Sequence, residues 1–152
     1  MKLTLDGVKA YIAARLSAYL TTIGSEWSIT VPTWGAMEVF EPENLQFPSV
    51  AILAGETATD YASEESPLTE FWEYHSIDIE IAEAGGDSAT IQNTLLAYRE
   101  AIVRIIRADN TFGNLFNRVR VGRTNYSPLL TFKDHKMMKI VRLNIIVRQL
   151  RA

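Results

Sequence analysis

The chain has 152 residues, of which 47% are apolar and 22% charged, and it contains no cysteine. That length favours one domain, residues 1–152, with a real hydrophobic core, and the missing thiols exclude disulfides, thiol nucleophiles and cysteine-ligated metals. The net charge of −3 hides an asymmetry, since residues 1–98 carry three basic side chains against fifteen acidic ones and residues 99–152 carry twelve against three.

The opening residues, MKLTLDGVKAY, lack the apolar core and cleavage site of a signal peptide. No run approaches the roughly 18 uncharged apolar residues of a membrane span, so no membrane association is expected. Leu5, Val8, Ile12, Leu16, Tyr19, Leu20 and Ile23 recur at steps of three and four. This spacing predicts a helix over about 5–21, capped by Thr4 or Asp6 and stopped at Gly24. Trp27, Ile29 and Val31 alternate as a short strand would, and Pro32 interrupts them. Residues 26–47 otherwise read as an extended arm or loop. Trp27 and Trp34 need burial, either on their own domain or against another subunit.

The run from Pro48 to Gly55 reads as a buried strand, and the acidic, small-residue stretch 56–68 as a loop. Thr69 to Ala82 is the clearest strand. Ile77, Ile79 and Ile81 share one face with Phe71, while Trp72, Tyr74, Ser76, Asp78 and Glu80 share the other. Asp87 or Ser88 caps a long amphipathic helix whose apolar stripe is Ile91, Leu95, Tyr98, Ile102, Ile105 and Ile106. The segment Asp109–Gly113 ends it, with Asn110 and Gly113 tolerant of left-handed geometry. A strand over 116–126 follows, then a short continuation over 129–132 and a turn at 133–136. The last strand, 137–150, places Val141, Leu143, Ile145 and Val147 on one face and Ile140, Arg142, Asn144, Ile146 and Arg148 on the other. This order predicts an α+β fold: a central, mostly antiparallel or mixed sheet of about four strands flanked by two main helices.

The charge asymmetry has two readings. The two halves interleave and neutralise each other, or one acidic face meets the basic face of a neighbour. The search for chemistry finds little. The only histidines are His75, in phase with Ile77, and His135, in a charged turn. Two imidazoles alone do not make a zinc site. Asp78 and Glu80 point the same way from a strand and could do acid–base work or hold a hard cation, but ion pairing with Arg142 and Arg148 is the simpler role. Gly85 and Gly86 precede a helix without the spacing of a phosphate-binding loop. Arg118, Arg120 and Arg123 lie beside Tyr126, yet the overall balance is acidic and carries no nucleic-acid signature. No catalytic residue, cofactor or metal is expected.

One resemblance does emerge. The strand FWEYHSIDIEIA, the helix ending AYREAIVRIIRAD, the segments NTFGNLFNRVRV and NYSPL, and the final strand KMMKIVRLNIIVRQL together resemble the tail terminator (tail-completion, or tail-to-head joining) proteins of tailed bacteriophages. The opening helix and PSVAILAGE match in order, and only about 26–47 falls outside. The resemblance implies an α+β subunit assembling as a ring, usually a hexamer, at the head–tail junction of a virion. Such a ring binds copies of itself, the tail-tube protein and a neck or head-connector protein. DNA passes through its lumen without sequence-specific binding. It also implies a structural protein made in the bacterial host cytoplasm rather than an enzyme.

The alternatives are another neck or tail component, such as a head-closure or tail-tube protein, and a small ligand-binding α+β domain. A head-to-tail ring needs two different complementary surfaces per subunit. The residues proposed for subunit or partner contact are Trp27, Trp34, Trp72, Tyr74, Asp78, Glu80, Ile140, Arg142, Ile146 and Arg148. The last eight could equally be cross-strand neighbours within one subunit.

Overall fold

The computed structural model describes residues 1–32, 47–61, 70–131 and 136–151. In chain order they form α1 (Lys2–Trp27), β1 (Ser49–Tyr61), β2 (Phe71–Gly85), α2 (Ser88–Ala108), β3 (Arg118–Tyr126), β4 (Leu130–Thr131) and β5 (Met137–Arg151). The fold is α+β. Five strands make one antiparallel sheet in the order β1-β2-β5-β3, with β4 continuing the β3 side of β5. The helix-linked strands β2 and β3 are therefore separated by β5.

Side-chain alternation decides which sheet face is covered. Ile77, Ile79 and Ile81 of β2 pair with Ile145, Leu143 and Val141 of β5, and all six are fully buried. Val50 and Val119 extend this layer on the outer strands. α2 lies against it, and α1 packs on α2 and reaches β1. Sandwiched between helix and sheet, α2 buries ten residues, including Val103 outside the expected stripe. α1 buries a single narrow row: Thr4, Val8, Ile12, Leu16, Leu20 and Ile23.

Several boundaries differ from the sequence expectations. α1 begins at Lys2 with no side-chain cap, and Thr4 is buried in its first turn. It continues past Gly24 to Trp27 and ends at Ser28, whose left-handed backbone sends its N–H back to the Gly24 and Ser25 carbonyls. Trp27 is thus helical, and the expected strand over 27–31 does not form. Glu56–Tyr61, expected as loop, is the second half of β1, held by backbone pairing to Phe71–His75. An exposed edge strand needs no apolar alternation, so its sequence gave no signal.

The turn after α2 is built on one carboxylate. Asp109 Oδ1 accepts from the Thr111 amide (2.9 Å) and hydroxyl (2.7 Å), and Oδ2 accepts from the Gly113 amide (2.8 Å). These bonds favour the charged form, and the Asp109 pKa falls to about 2. Phe112, Gly113 and Asn114 take left-handed geometry, whereas Asn110 does not. The Phe112 ring stacks on Tyr11 of α1 at 4.3 Å between centroids, tying the turn to the first helix.

Candidate functional site

Eight of the ten residues proposed for contact lie together on the sheet face opposite the helices. Along β2 these are Trp72, Tyr74, Asp78 and Glu80; along β5 they are Ile140, Arg142, Ile146 and Arg148. Antiparallel pairing makes Glu80 the partner of Arg142, Tyr74 of Arg148 and Asp78 of Asn144. Trp27 is apart from this face, 40% exposed at the end of α1. Trp34 lies outside the described residues, as does His135.

The face holds itself together by cross-strand contacts. Arg142 Nε donates to Glu80 Oε1 at 2.8 Å, and its Nη2 donates to the same oxygen. The Glu80 side chain is only 10% exposed while that of Arg142 is 54% exposed. The arginine therefore neutralises a mostly buried carboxylate and keeps its outer edge in solvent. Asn144 Nδ2 donates to Ser76 Oγ (2.7 Å) and Asp78 Oδ1 (3.0 Å). The Arg148 guanidinium lies over the Trp72 ring, 4.5 Å from its centre. The expected ion pairing holds for Glu80 and Arg142 alone: Asp78 is bonded by the neutral Asn144 that sits opposite it, and Arg148, opposite Tyr74, stacks on Trp72 instead of meeting a carboxylate. Among the described residues no group of three His, Asp or Glu side chains converges as a metal site requires. No described helix is long and apolar enough to cross a membrane.

One polar cluster on the helix-side face was not foreseen. His75, 1% exposed, has Nδ1 3.0 Å from Thr57 Oγ1 and Nε2 2.9 Å from Glu73 Oε2. The Nε2 contact is close but does not have the geometry of a formed hydrogen bond. Arg151 Nε binds the other Glu73 oxygen at 3.3 Å. A hydroxyl, an imidazole and a carboxylate in a row invite a catalytic reading. These contacts also link three strands, Thr57 on β1, Glu73 and His75 on β2 and Arg151 on β5. Burial drives the His75 pKa down, Glu73 opposes it, and the chain's amino terminus and Arg151 add to the fall. Burial thus disfavours the charged form of the imidazole. Glu73 meanwhile shares its charge with Arg151. Only the bulge in β1 between Ala54 and Thr57 brings Thr57 opposite His75, and no sequence period announces a bulge.

Clefts among the described residues include two away from this cluster. One of about 360 Å³ lies between the end of α1 and Ile29–Pro32. The other, about 170 Å³, is bounded by Gln92, Leu95, Leu96, Tyr126 and Lys139. Neither is lined by residues of the His75 cluster or of the sheet face opposite the helices.

No protein-family profile matches the chain, and no curated protein is similar to it in sequence. Among solved structures, a chain from the "virion of native gene transfer agent (GTA) particle" aligns with 93% of this chain and 98% of its own length. The two share 13% identity at a TM-score of 0.33. A likeness this distant carries no argument, and the functional reading rests on the residues and fold above.

Proposed function

We propose that the protein is a structural component of a tailed-phage virion, a tail terminator that closes the tail tube and joins it to the neck. The observation that carries this reading is the order in which the resembling segments fold. FWEYHSIDIEIA lies in β2, AYREAIVRIIRAD runs along α2 into the Asp109 turn, NTFGNLFNRVRV leads into β3, and KMMKIVRLNIIVRQL forms β5. They build one α+β unit around one sheet, as the resemblance implies.

In this reading the subunit forms a ring, expected as a hexamer, with DNA passing through its lumen. The tail-tube protein meets one surface and a neck or head-connector protein another. The sheet face opposite the helices suits such contact because it mixes half-buried Trp72, Tyr74, Ile140 and Ile146 with Arg142, Arg148 and Asp78. Glu80 and Arg142 are already paired within the subunit, whereas Arg148 has no carboxylate partner among the described residues. The reading assigns no catalysis and no cofactor.

Light scattering after size exclusion, followed by negative-stain imaging of the purified protein, tests it. A closed ring with an open centre is the expected result. A protein that stays monomeric at high concentration, and also when mixed with purified tail tubes, contradicts the reading.

A further inference from the structure

Both outer strands of the sheet carry charge of a single sign. β1, one edge, contains Glu56 and Asp60 and no basic residue. β3, the other edge, contains Arg118, Arg120 and Arg123 and no acidic residue. All five side chains are exposed, and none has an ion-pair partner among the described residues. No described strand pairs with the outer side of either edge. Unpaired edges are templates for association, and proteins commonly blunt them with charge and bulges. Here each edge has a bulge, between Ala54 and Thr57 in β1 and between Val121 and Thr124 in β3. The charges, however, are opposite on the two sides.

We infer that the subunits join edge to edge, β1 of one copy against β3 of the next, so that the sheets continue from subunit to subunit. This deepens the assembly reading above and rests on it.

Strand direction permits the join. β1 is antiparallel to β2, β2 to β5, and β5 to β3. A neighbouring copy in the same orientation therefore sets its β1 antiparallel to β3. The charged halves of the two edges also lie at the same end of the sheet. Ala58, Tyr74, Arg148 and Arg118 form one rung across it, and Asp60 lies two rungs along, on the same face, with Trp72 and Leu150. In an unstaggered repeat, Asp60 falls diagonal to Arg118 of the neighbour. That spacing is about 7–8 Å between backbones, within reach of an arginine.

The same charges disfavour the symmetric alternatives. β1 against β1 sets acid against acid, and β3 against β3 sets arginine against arginine. What remains is a head-to-tail contact, the kind that generates a ring when its rotation closes.

Two reversed variants test the join. One carries Glu56→Lys and Asp60→Lys; the other carries Arg118→Glu and Arg120→Glu. Each then bears like charge on both edges. Native mass spectrometry should find the wild type assembled and each variant monomeric, with circular dichroism spectra unchanged. An equimolar mixture of the two variants should assemble again, as rings of even number in which they alternate. Assembly of either variant alone to the wild-type size overturns edge pairing while leaving the ring reading intact. Folded variants that stay monomeric when mixed overturn it as well. A wild type that remains monomeric alone and with purified tail tubes, with no association in the mixture, overturns both.

Discussion

The guanidinium of Arg148 lies 4.5 Å from the centre of the Trp72 ring, on the sheet face that neither helix covers. Its Nε is buried without a hydrogen-bond partner among the described residues, so the aromatic face is what receives the cation. A double-mutant cycle with Trp72→Ala and Arg148→Ala should give a coupling of about 0.5–2 kcal/mol in urea denaturation. Additive losses would mean that the stack contributes no energy of its own.

His75 makes stability depend on pH. Its folded pKa lies below the ordinary 6.5, chiefly because it is buried. The unfolded chain therefore binds the proton more readily. The stability this site contributes is full above about pH 6.5 and is lost as pH falls through the lower folded value. Thermal melts between pH 7.5 and 5 should show a falling midpoint, and His75→Gln should flatten that slope. An equal slope in the variant would assign the effect to other groups.

Glu83 works in the opposite sense. It is buried, its carboxylate accepts only the Ala84 amide at 2.9 Å among the described residues, and burial raises its pKa above 4.5. Its folded state holds the proton more tightly than the unfolded chain, so stability declines as pH rises through the folded value. Glu83→Gln keeps the acceptor and removes the charge. It should raise the melting midpoint at pH 7.5 more than at pH 4.5. A drop at pH 7.5 would show that the charge has a stabilising partner.

Gly55 sits at the β1 bulge because a side chain there would collide with the neighbouring strand. A Cβ would fall 2.8 Å from the Ser76 carbonyl oxygen, whereas at Gly86 it meets nothing within 4 Å. Gly55→Ala should cost about 1–3 kcal/mol. Gly86→Ala should stay within about 0.5 kcal/mol of wild type. Equal effects would remove the steric account of the bulge.

These sites differ in how legible they are in the sequence. α2, β2 and β5 are legible because each buries a regular row of large apolar residues, and the periods of 3.6 and 2 survive intact. The pairing of Glu80 with Arg142 follows from the same alternation, since both fall on the uncovered face of adjacent strands. The second half of β1 is not legible, because residues 56–60 are exposed and take their place by backbone pairing to β2 rather than by burying an apolar row. The His75 cluster is hidden for a related reason. Thr57 reaches His75 only through a bulge, which breaks the period that would have located it. At α1, Gly24 is a plausible stop in sequence, but the helix continues three residues further and uses Ser28 for its left-handed end.

The central claim is a position in a particle, and labelling tests it most directly. Virions assembled with a tagged copy of this protein can be marked with gold or a specific antibody and imaged by electron microscopy. The account predicts label at the head–tail junction alone, with a ring of subunits there in averaged images. Label spread along the tail, label within the head, or particles that carry none of the protein would contradict it.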